Sequence, residues 1–219
     1  MADWATISSL ATAGGTLVLA VATFASVRSA NRSARIAEVA LQEQRRPVLV
    51  QSRLDDPEEK IMFVDRHWVH APPGGAVLEH VDGNVYMAMS LRNVGAGIGV
   101  CLGWTIRSGI QGARIDHAPE SEFRTQTRDL YVPAGDVGIW QGALRDASDV
   151  AYGEVVEAIE TREPLTVDLL YSDQAGGQRT ISRFTIVPSI RDDAQGTRWL
   201  LSVGRHWYLE RVRPGSPDR

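Results

Sequence analysis

The first 27 residues constrain this chain more than any other part of it. Residues 4–27 contain no charged side chain, and Arg28, Arg32 and Arg35 follow directly. As a helix this segment is about 36 Å long, and about 20 residues suffice to cross the hydrocarbon core of a bilayer. Trp4 stands at the outer edge, where an indole ring suits the headgroup layer. The pattern predicts a transmembrane helix, with the lipid bilayer as a partner of residues 4–27.

The charges that flank this segment predict its orientation. Five arginines lie between residues 28 and 46 and none precedes the segment, and positively charged residues tend to stay on the cytoplasmic side of a membrane. We therefore expect a single-pass protein of the cell membrane, with its N-terminus outside and its C-terminal domain in the cytoplasm. Two alternatives stay open. One is a cleaved signal peptide, although its positive charge would precede the apolar run; the other is a buried helix of a soluble protein.

Residues 28–46 predict that the helix continues beyond the membrane as a stalk. Residues 29–44 lack Gly and Pro and are rich in Ala, Arg, Glu and Gln, which favour helices. Pro47 ends the helix, because the residue before a proline is pushed out of the helical region. Positions spaced four, three and four residues apart are typical of a self-association seam. Two interpretations of the stalk therefore stay open, a contact between copies in a homo-oligomer and a helix that is surrounded by solvent. These positions are Ala30, Ala34, Ala37 and Leu41.

Alternation of apolar and polar residues predicts β-strands in the rest of the chain. The alternation is clearest in the runs that begin at Val85, Val100 and Leu165. Breaks rich in Gly or Pro separate the runs, and the break at residues 173–177 predicts a hairpin. The predicted strands are residues 48–54, 61–69, 85–91, 100–106, 124–132, 137–144, 165–171, 179–187 and 199–209.

One short helix interrupts the predicted strands. Asp149 can cap it, residues 150–161 provide an apolar face, and Pro164 closes the segment. Many short strands with a single helix favour a mainly β fold, an antiparallel immunoglobulin-like β-sandwich. We therefore predict four parts. These are the transmembrane anchor (1–27), the stalk helix (28–46), the β-sandwich domain (47–213) and a disordered tail (214–219).

Net charge and cysteine content narrow the classes of function. The formal net charge of −4 argues against a nucleic-acid binder, because such proteins usually carry a strong positive charge. The single cysteine, Cys101, cannot form an internal disulfide, which agrees with a domain in a reducing compartment. Its neighbours are apolar, so we expect the thiol to be buried rather than reactive.

Three local patterns resemble reactive or ligand-binding sites, and for each we prefer a structural interpretation. Residues 95–99 read Gly-Ala-Gly-Ile-Gly, but a dinucleotide fingerprint needs a helix at its glycines, and a strand is predicted here. His67 and His70 are three residues apart, and such positions on a strand point to opposite faces. Asp168 and Asp173 flank a strand, where Asp173 begins a turn. We predict no catalytic, cofactor-binding or metal-binding residues, and no cofactor.

The last predicted strand combines aromatic with basic residues. Tyr, Trp and Arg are the residues enriched at the hot spots of protein interfaces. They also close the edges of β-sheet cores, where guanidinium groups stack on aromatic rings, so both interpretations stay open. The candidate partner-binding residues are Trp199, Arg205, His206, Trp207 and Tyr208.

Several segments of the chain form a recognisable set. The closing hairpin reads Tyr-Ser-Asp at 171–173, Gln-Arg-Thr-Ile-Ser-Arg-Phe at 178–184 and Arg-His-Trp-Tyr-Leu at 205–209, with Arg-Pro at 46–47 and Leu-Arg-Asn-Val-Gly at 91–95 before it. Together these segments resemble a group of uncharacterised bacterial membrane-anchored proteins, mostly actinobacterial. The resemblance covers most of the chain and implies a single span followed by a β-rich domain. It implies no activity and no site residue.

The sequence favours a membrane-anchored, non-enzymatic interaction or scaffold module with a cytoplasmic β-sandwich head and an unidentified protein partner. Two alternatives stay open. A small membrane-tethered hydrolase or ligand sensor would gather Asp, His or Tyr from distant strands around a polar pocket. An accessory subunit of a membrane complex would use the span and the head as contact surfaces.

Overall fold

The chain divides into two compact units, Met1–Glu43 and Gln44–Arg219. The structure, a computed structural model, describes residues 4–112, 115–190 and 198–209. The predicted disordered tail, residues 214–219, lies outside the described residues.

The first unit is one long helix, α1, which spans Trp4–Gln44 and contains 41 residues. Within it, Thr12–Leu41 is long and apolar enough to cross a membrane, a test that a signal sequence also passes. Every residue from 12 to 41 is exposed in the structure. The helix therefore runs without interruption through the predicted span and most of the predicted stalk, and it ends shortly before Pro47.

The described part of the second unit contains twelve strands and a second α-helix. This helix, α2, spans Val150–Thr161, and the carboxylate of Asp149 accepts a hydrogen bond from the Ala151 N–H as its N-cap. The sequence predicted both the helix and its cap. The strands are β1 (Leu49–Gln51), β2 (Glu59–Met62), β3 (Trp68–Ala71), β4 (Gly75–Val81), β5 (Asn84–Asn93), β6 (Gly99–Ser108), β7 (Arg124–Thr125), β8 (Tyr131–Val132), β9 (Val137–Leu144), β10 (Leu165–Ser172), β11 (Thr180–Pro188) and β12 (Trp199–Tyr208).

Ten of these strands form one antiparallel sheet in the order β1-β5-β4-β12-β11-β10-β6-β7, where β9 also pairs with β5 and β8 with β6. The two ends of the sheet meet, because Trp104 of β6 packs edge-on against Trp140 of β9 with ring centroids 5.3 Å apart. The sheet therefore curls around the main core. The predicted mainly β, antiparallel fold is confirmed. An immunoglobulin-like sandwich of two separate sheets is not confirmed, because pairing of β4 with β12 joins the two halves.

The central strand β5 is buried on both faces. Its residues Val85, Met87 and Met89 point into the main core, as the alternation predicted. Tyr86 and Ala88 point the other way and are buried beneath the hairpin of β2 and β3, which forms a second small cluster. The hairpin therefore protects a face that the alternation alone would assign to solvent.

A β-bulge changes the predicted alternation of β6. Its pairing with β10 shifts register between Gly103 and Cys101, so that Leu102 has no partner opposite it. Trp104 remains in the core, but Leu102, which the sequence placed on the same face, is 36 % exposed. Cys101 takes the inward position instead, and it is buried as predicted.

Apart from shifts of strand ends, three stretches differ from the predicted strands. The predicted strand 124–132 is two separate strands, β7 and β8, because only its two ends pair with β6. Residues 61–69 form parts of a hairpin, because the chain turns at residues 63–67, where Arg66 adopts a positive φ of 68°. Strand β4 was not predicted, because it begins at Gly75, inside a run of prolines and glycines that reads as a loop. The Gly75 N–H donates to the Pro72 carbonyl and closes a tight turn directly before the strand.

The chain leaves α1 through residues 45–49, which we call the junction segment, and Asn93 holds it to the sheet. The fully buried amide of Asn93 accepts hydrogen bonds from the N–H groups of Val48 (3.1 Å) and Gly95 (3.0 Å). It donates to the carbonyl oxygen of Gly97 (2.6 Å) and to a carbonyl of β8 (3.0 Å). One side chain therefore ties together the junction segment, a loop and a strand.

The glycine-rich residues 95–99 lie directly against the junction segment. A Cβ atom at Gly97 would overlap the carbonyl oxygen of Arg45, and one at Gly95 would overlap the carbonyl oxygen of Arg46. The glycines are therefore needed for a close approach of two backbones, which agrees with the structural interpretation of this motif.

We expect Gly97→Ala to destabilise the fold by about 1–3 kcal/mol, because a methyl group must displace the backbone of the junction segment. The matched control is Gly153→Ala in α2, where nothing lies within 4 Å of the added methyl group. That control should stabilise the helix by about 0.5–1 kcal/mol. Guanidinium unfolding of the full chain in detergent, followed by tryptophan fluorescence, measures both. Equal stability of Gly97→Ala and the unsubstituted chain would contradict the close contact.

Candidate functional site

The structure brings four of the five candidate partner-binding residues together. Arg205, His206, Trp207 and Tyr208 form the end of β12, which pairs with the beginning of β11. Trp199 lies at the opposite end of the strand, 3 % exposed and inside the main core, so its side chain contributes no exposed surface. We call the end of β12, residues 205–208, the β12 surface.

Trp207 lies between two guanidinium groups on the outer face of the sheet. The guanidinium carbons of Arg183 and Arg205 are each 4.9 Å from the centroid of its ring. His117 approaches the ring edge-on at 5.5 Å between centroids. Such cation–π contacts order the side chains of a partly exposed surface. Trp207 therefore covers the buried Arg183, as the interpretation of this strand as an edge of the core predicts, and its own ring stays partly exposed.

Arg183 is fixed in place by an ion pair with Asp168, the residue directly opposite it on β10. The two groups are joined by two hydrogen bonds of 2.7 and 2.8 Å, and Arg183 is only 2 % exposed. Arg183 also donates to the carbonyl oxygens of Ile115 and Asp116, while Asp168 accepts from the Ala118 N–H. The pair therefore holds residues 115–118 over the sheet, and Asp168 serves structure rather than acid–base chemistry.

Tyr208 connects the β12 surface to the junction segment. Its ring is 55 % exposed, and the guanidinium group of Arg46 lies 4.5 Å from the ring centroid. The β12 surface therefore begins next to the point where the chain leaves α1.

His206 points to the opposite face of the strand, into a buried polar chain. Its Nδ1 lies 2.6 Å from Ser182 Oγ, which lies 2.9 Å from the hydroxyl of Tyr171. Tyr171 accepts a hydrogen bond from the Leu49 N–H at 3.1 Å. Burial lowers the pKa of the His206 imidazole and raises the pKa of the Tyr171 hydroxyl to about 12. These residues come from three strands and the junction segment, so no local motif could have revealed them.

The pairing of Ser182 with His206 resembles the nucleophile and base of a hydrolase. Ser182 is fully buried, however, and its hydroxyl lies within the chain of hydrogen bonds rather than at a surface. A substrate cannot reach this oxygen without opening the core. The arrangement therefore acts as a structural hydrogen-bond chain.

The remaining sequence candidates for chemistry are separated or enclosed. His67 contacts Glu79 at 2.8 Å, whereas His70 contacts Glu58 at 3.2 Å, so the two histidines have different partners. Burial raises the pKa of the Cys101 thiol to about 12, which keeps it protonated and unreactive. Among residues 4–112, 115–190 and 198–209, no cluster of three or more His, Cys, Asp or Glu residues could hold a metal ion.

A surface groove of about 350 Å³ lies between the β2–β3 hairpin, β4 and α2. The sequence did not predict it, because its walls come from separate parts of the chain. Its lining includes Trp68 and His70 of β3, Leu78 and Glu79 of β4, and Ile159 of α2. Two of its polar lining residues, His70 and Glu58, pair with each other at 3.2 Å.

We expect Asp168→Ala to destabilise the head by about 3–5 kcal/mol, because it leaves the buried guanidinium of Arg183 without a counter-charge. The double variant Asp168→Leu with Arg183→Met should recover most of this loss, since it leaves no buried charge. Denaturant unfolding of the full chain measures the two free energies. If the double variant is as unstable as the single one, packing rather than charge determines the stability of this site.

Comparisons of the chain with protein-family models, with curated proteins and with solved structures give no match.

Proposed function

We propose that the chain is a membrane-anchored interaction module that binds a protein partner through the β12 surface. The observation that carries this proposal is the exposed guanidinium group of Arg205 stacked on the partly buried ring of Trp207, which the buried ion pair of Arg183 and Asp168 supports. Tyr208, which is 55 % exposed, adds a second aromatic ring at the end of the same strand. Residues of these types, placed on a rigid strand, are the ones that dominate protein interfaces.

The enclosed reactive groups support binding rather than catalysis. The thiol of Cys101 and the hydroxyl of Ser182 are buried, and Asp168 is engaged by Arg183. Asp173 accepts hydrogen bonds from the N–H groups of Gly177 and Gln178 at the turn that it begins. The exposed aromatic and basic groups of the β12 surface then offer the better basis for a function.

The membrane location of this module rests on α1. Its segment Thr12–Leu41 has the length and composition of a span, and arginines follow the uncharged residues 4–27. We propose that residues 4–27 lie in the bilayer and that the head is cytoplasmic, because positively charged flanks favour that side. An accessory subunit of a membrane complex would use the same layout, with the complex itself as the partner.

The orientation can be tested by cysteine labelling of intact cells. Cys101 is buried, so we expect it to stay unlabelled in the folded chain. A new thiol from Ala147→Cys lies in an exposed turn and should react with a membrane-impermeant maleimide only after the cells are permeabilised. Ala2→Cys provides the matched control, which should react without permeabilisation. Labelling of Ala147→Cys in intact cells would contradict a cytoplasmic head.

Photo-crosslinking tests the β12 surface. A benzoylphenylalanine at Tyr208 should form an adduct of discrete mass in intact cells, because this ring lies at the proposed contact. Tyr131 of β8 is the matched control, since both tyrosines are 55 % exposed, and it should form no such adduct. Arg205→Ala should weaken the capture at position 208 by roughly 30-fold, the effect of losing a hot spot of about 2 kcal/mol.

The mass of the adduct separates the kinds of partner. An adduct of twice the mass of the chain would identify a second copy, and a larger or smaller adduct would identify a different protein. Equal adducts at positions 208 and 131, or none at either, would contradict a contact at the β12 surface.

A further inference from the structure

The buried hydrogen-bond chain from Leu49 to His206 has a direction that its donors determine. The Leu49 N–H is a donor only, so the oxygen of Tyr171 accepts from it. The Tyr171 hydrogen is then satisfied by Ser182 Oγ, and the Ser182 hydrogen by Nδ1 of His206. In this direction all three hydrogens have an acceptor. It requires that Nδ1 of His206 carries no proton.

Protonation of His206 would reverse this chain. An imidazolium carries a hydrogen on Nδ1 and can only donate there, so Ser182 Oγ would accept from it and turn its own hydrogen towards Tyr171. The oxygen of Tyr171 would then accept two hydrogen bonds, and its own hydrogen would lose its acceptor among the described residues. Tyr171 is fully buried, so solvent cannot replace that bond, and an unsatisfied buried donor is costly.

We propose that His206 is a proton-responsive switch that couples the β12 surface to the junction segment. With a neutral imidazole, the hydrogen-bond chain ties the end of β12 through β11 and β10 to the first residue of β1. With a protonated imidazole, the reversed chain loosens this attachment, and the start of β1 and the end of β12 open more readily. The inference concerns the fold of the head and does not depend on the proposed partner.

The surroundings of His206 favour its neutral form. Burial lowers the pKa of His206 and raises the pKa of Tyr171, so that Tyr171 keeps the proton that the hydrogen-bond chain requires. The carboxylate of Asp168 lies with Arg183 on the opposite face of the sheet, so it cannot compensate an imidazolium. Within the described residues, the titratable or charged groups that neighbour Tyr171 and His206 on this face are Cys101 and Tyr208, with Arg46 over the ring of Tyr208.

The lowered pKa of His206 determines the direction in which stability changes with pH. A histidine whose pKa is lowered by folding binds protons more readily in the unfolded state, so its contribution to stability is complete above the ordinary value of 6.5. That contribution is lost as the pH falls below this value, through the lowered pKa of the folded state. The switch therefore responds to acidification and not to alkaline conditions.

Hydrogen exchange of the Leu49 amide tests the proposal in the full chain in detergent. After correction for the intrinsic pH dependence of exchange, the protection of Leu49 should fall about tenfold between roughly pH 7.5 and pH 5, the equivalent of one lost hydrogen bond. His206→Asn supplies an acceptor that cannot be protonated, and its protection should not change with pH. His70→Asn is the matched control, since His70 pairs with Glu58 and is not part of the hydrogen-bond chain. This variant should behave like the unsubstituted protein.

A second variant keeps the test decisive if His206→Asn does not fold. Ser182→Ala removes the hydroxyl that links Tyr171 to His206 in the hydrogen-bond chain. The protection of the Leu49 amide should therefore lose its pH dependence in this variant as well. Constant protection in the unsubstituted chain would overturn the proposal. An equal fall in protection in His206→Asn or Ser182→Ala would overturn it too.

Discussion

The buried amide of Asn93 is the interaction on which the arrangement of the head depends. Its four hydrogen bonds hold the junction segment, the glycine-rich loop and β8 at one point. Gly95 and Gly97 allow the two backbones to meet there. Because this contact sets where β1 begins, it also sets which main-chain group faces Tyr171 and which ring lies beneath Arg46.

Two buried polar systems then hold the same pair of strands from opposite faces. On the outer face, the ion pair of Asp168 and Arg183 carries residues 115–118 and supports the ring of Trp207. On the inner face, Tyr171 and Ser182 lead to His206. Side chains alternate along a strand, so Trp207 of β12 contacts the ion pair on the outer face, whereas its neighbour His206 contacts the hydrogen-bond chain on the inner face. The side chains of Trp207 and His206 are therefore each held by groups that are buried in the sheet.

This arrangement explains why a chain with serine, histidine, cysteine and aspartate in its head is proposed to bind rather than to catalyse. A nucleophile needs access as well as activation, and the hydroxyl of Ser182 has no access. The exposed chemistry is that of guanidinium groups and aromatic rings, which recognise a surface. A proton that reaches His206 would change how firmly that surface is attached to the junction segment.

Local sequence determined the elements whose causes are local. The uncharged run and the position of Pro47 predicted α1, and Asp149 predicted the start of α2. Alternation predicted β5, β6 and β10 as strands, although β5 and β10 are buried on both faces. The sequence could not show that a bulge turns Leu102 out of the core or that β5 is covered on both faces. Nor could it show that Trp199 is buried in the core whereas Trp207 is partly exposed. Those features depend on which strands become neighbours, and so do the partners of Asn93, Asp168 and His206. Pairing between distant residues is decided only when the sheet closes around its core, because each buried polar group then needs a partner from another strand.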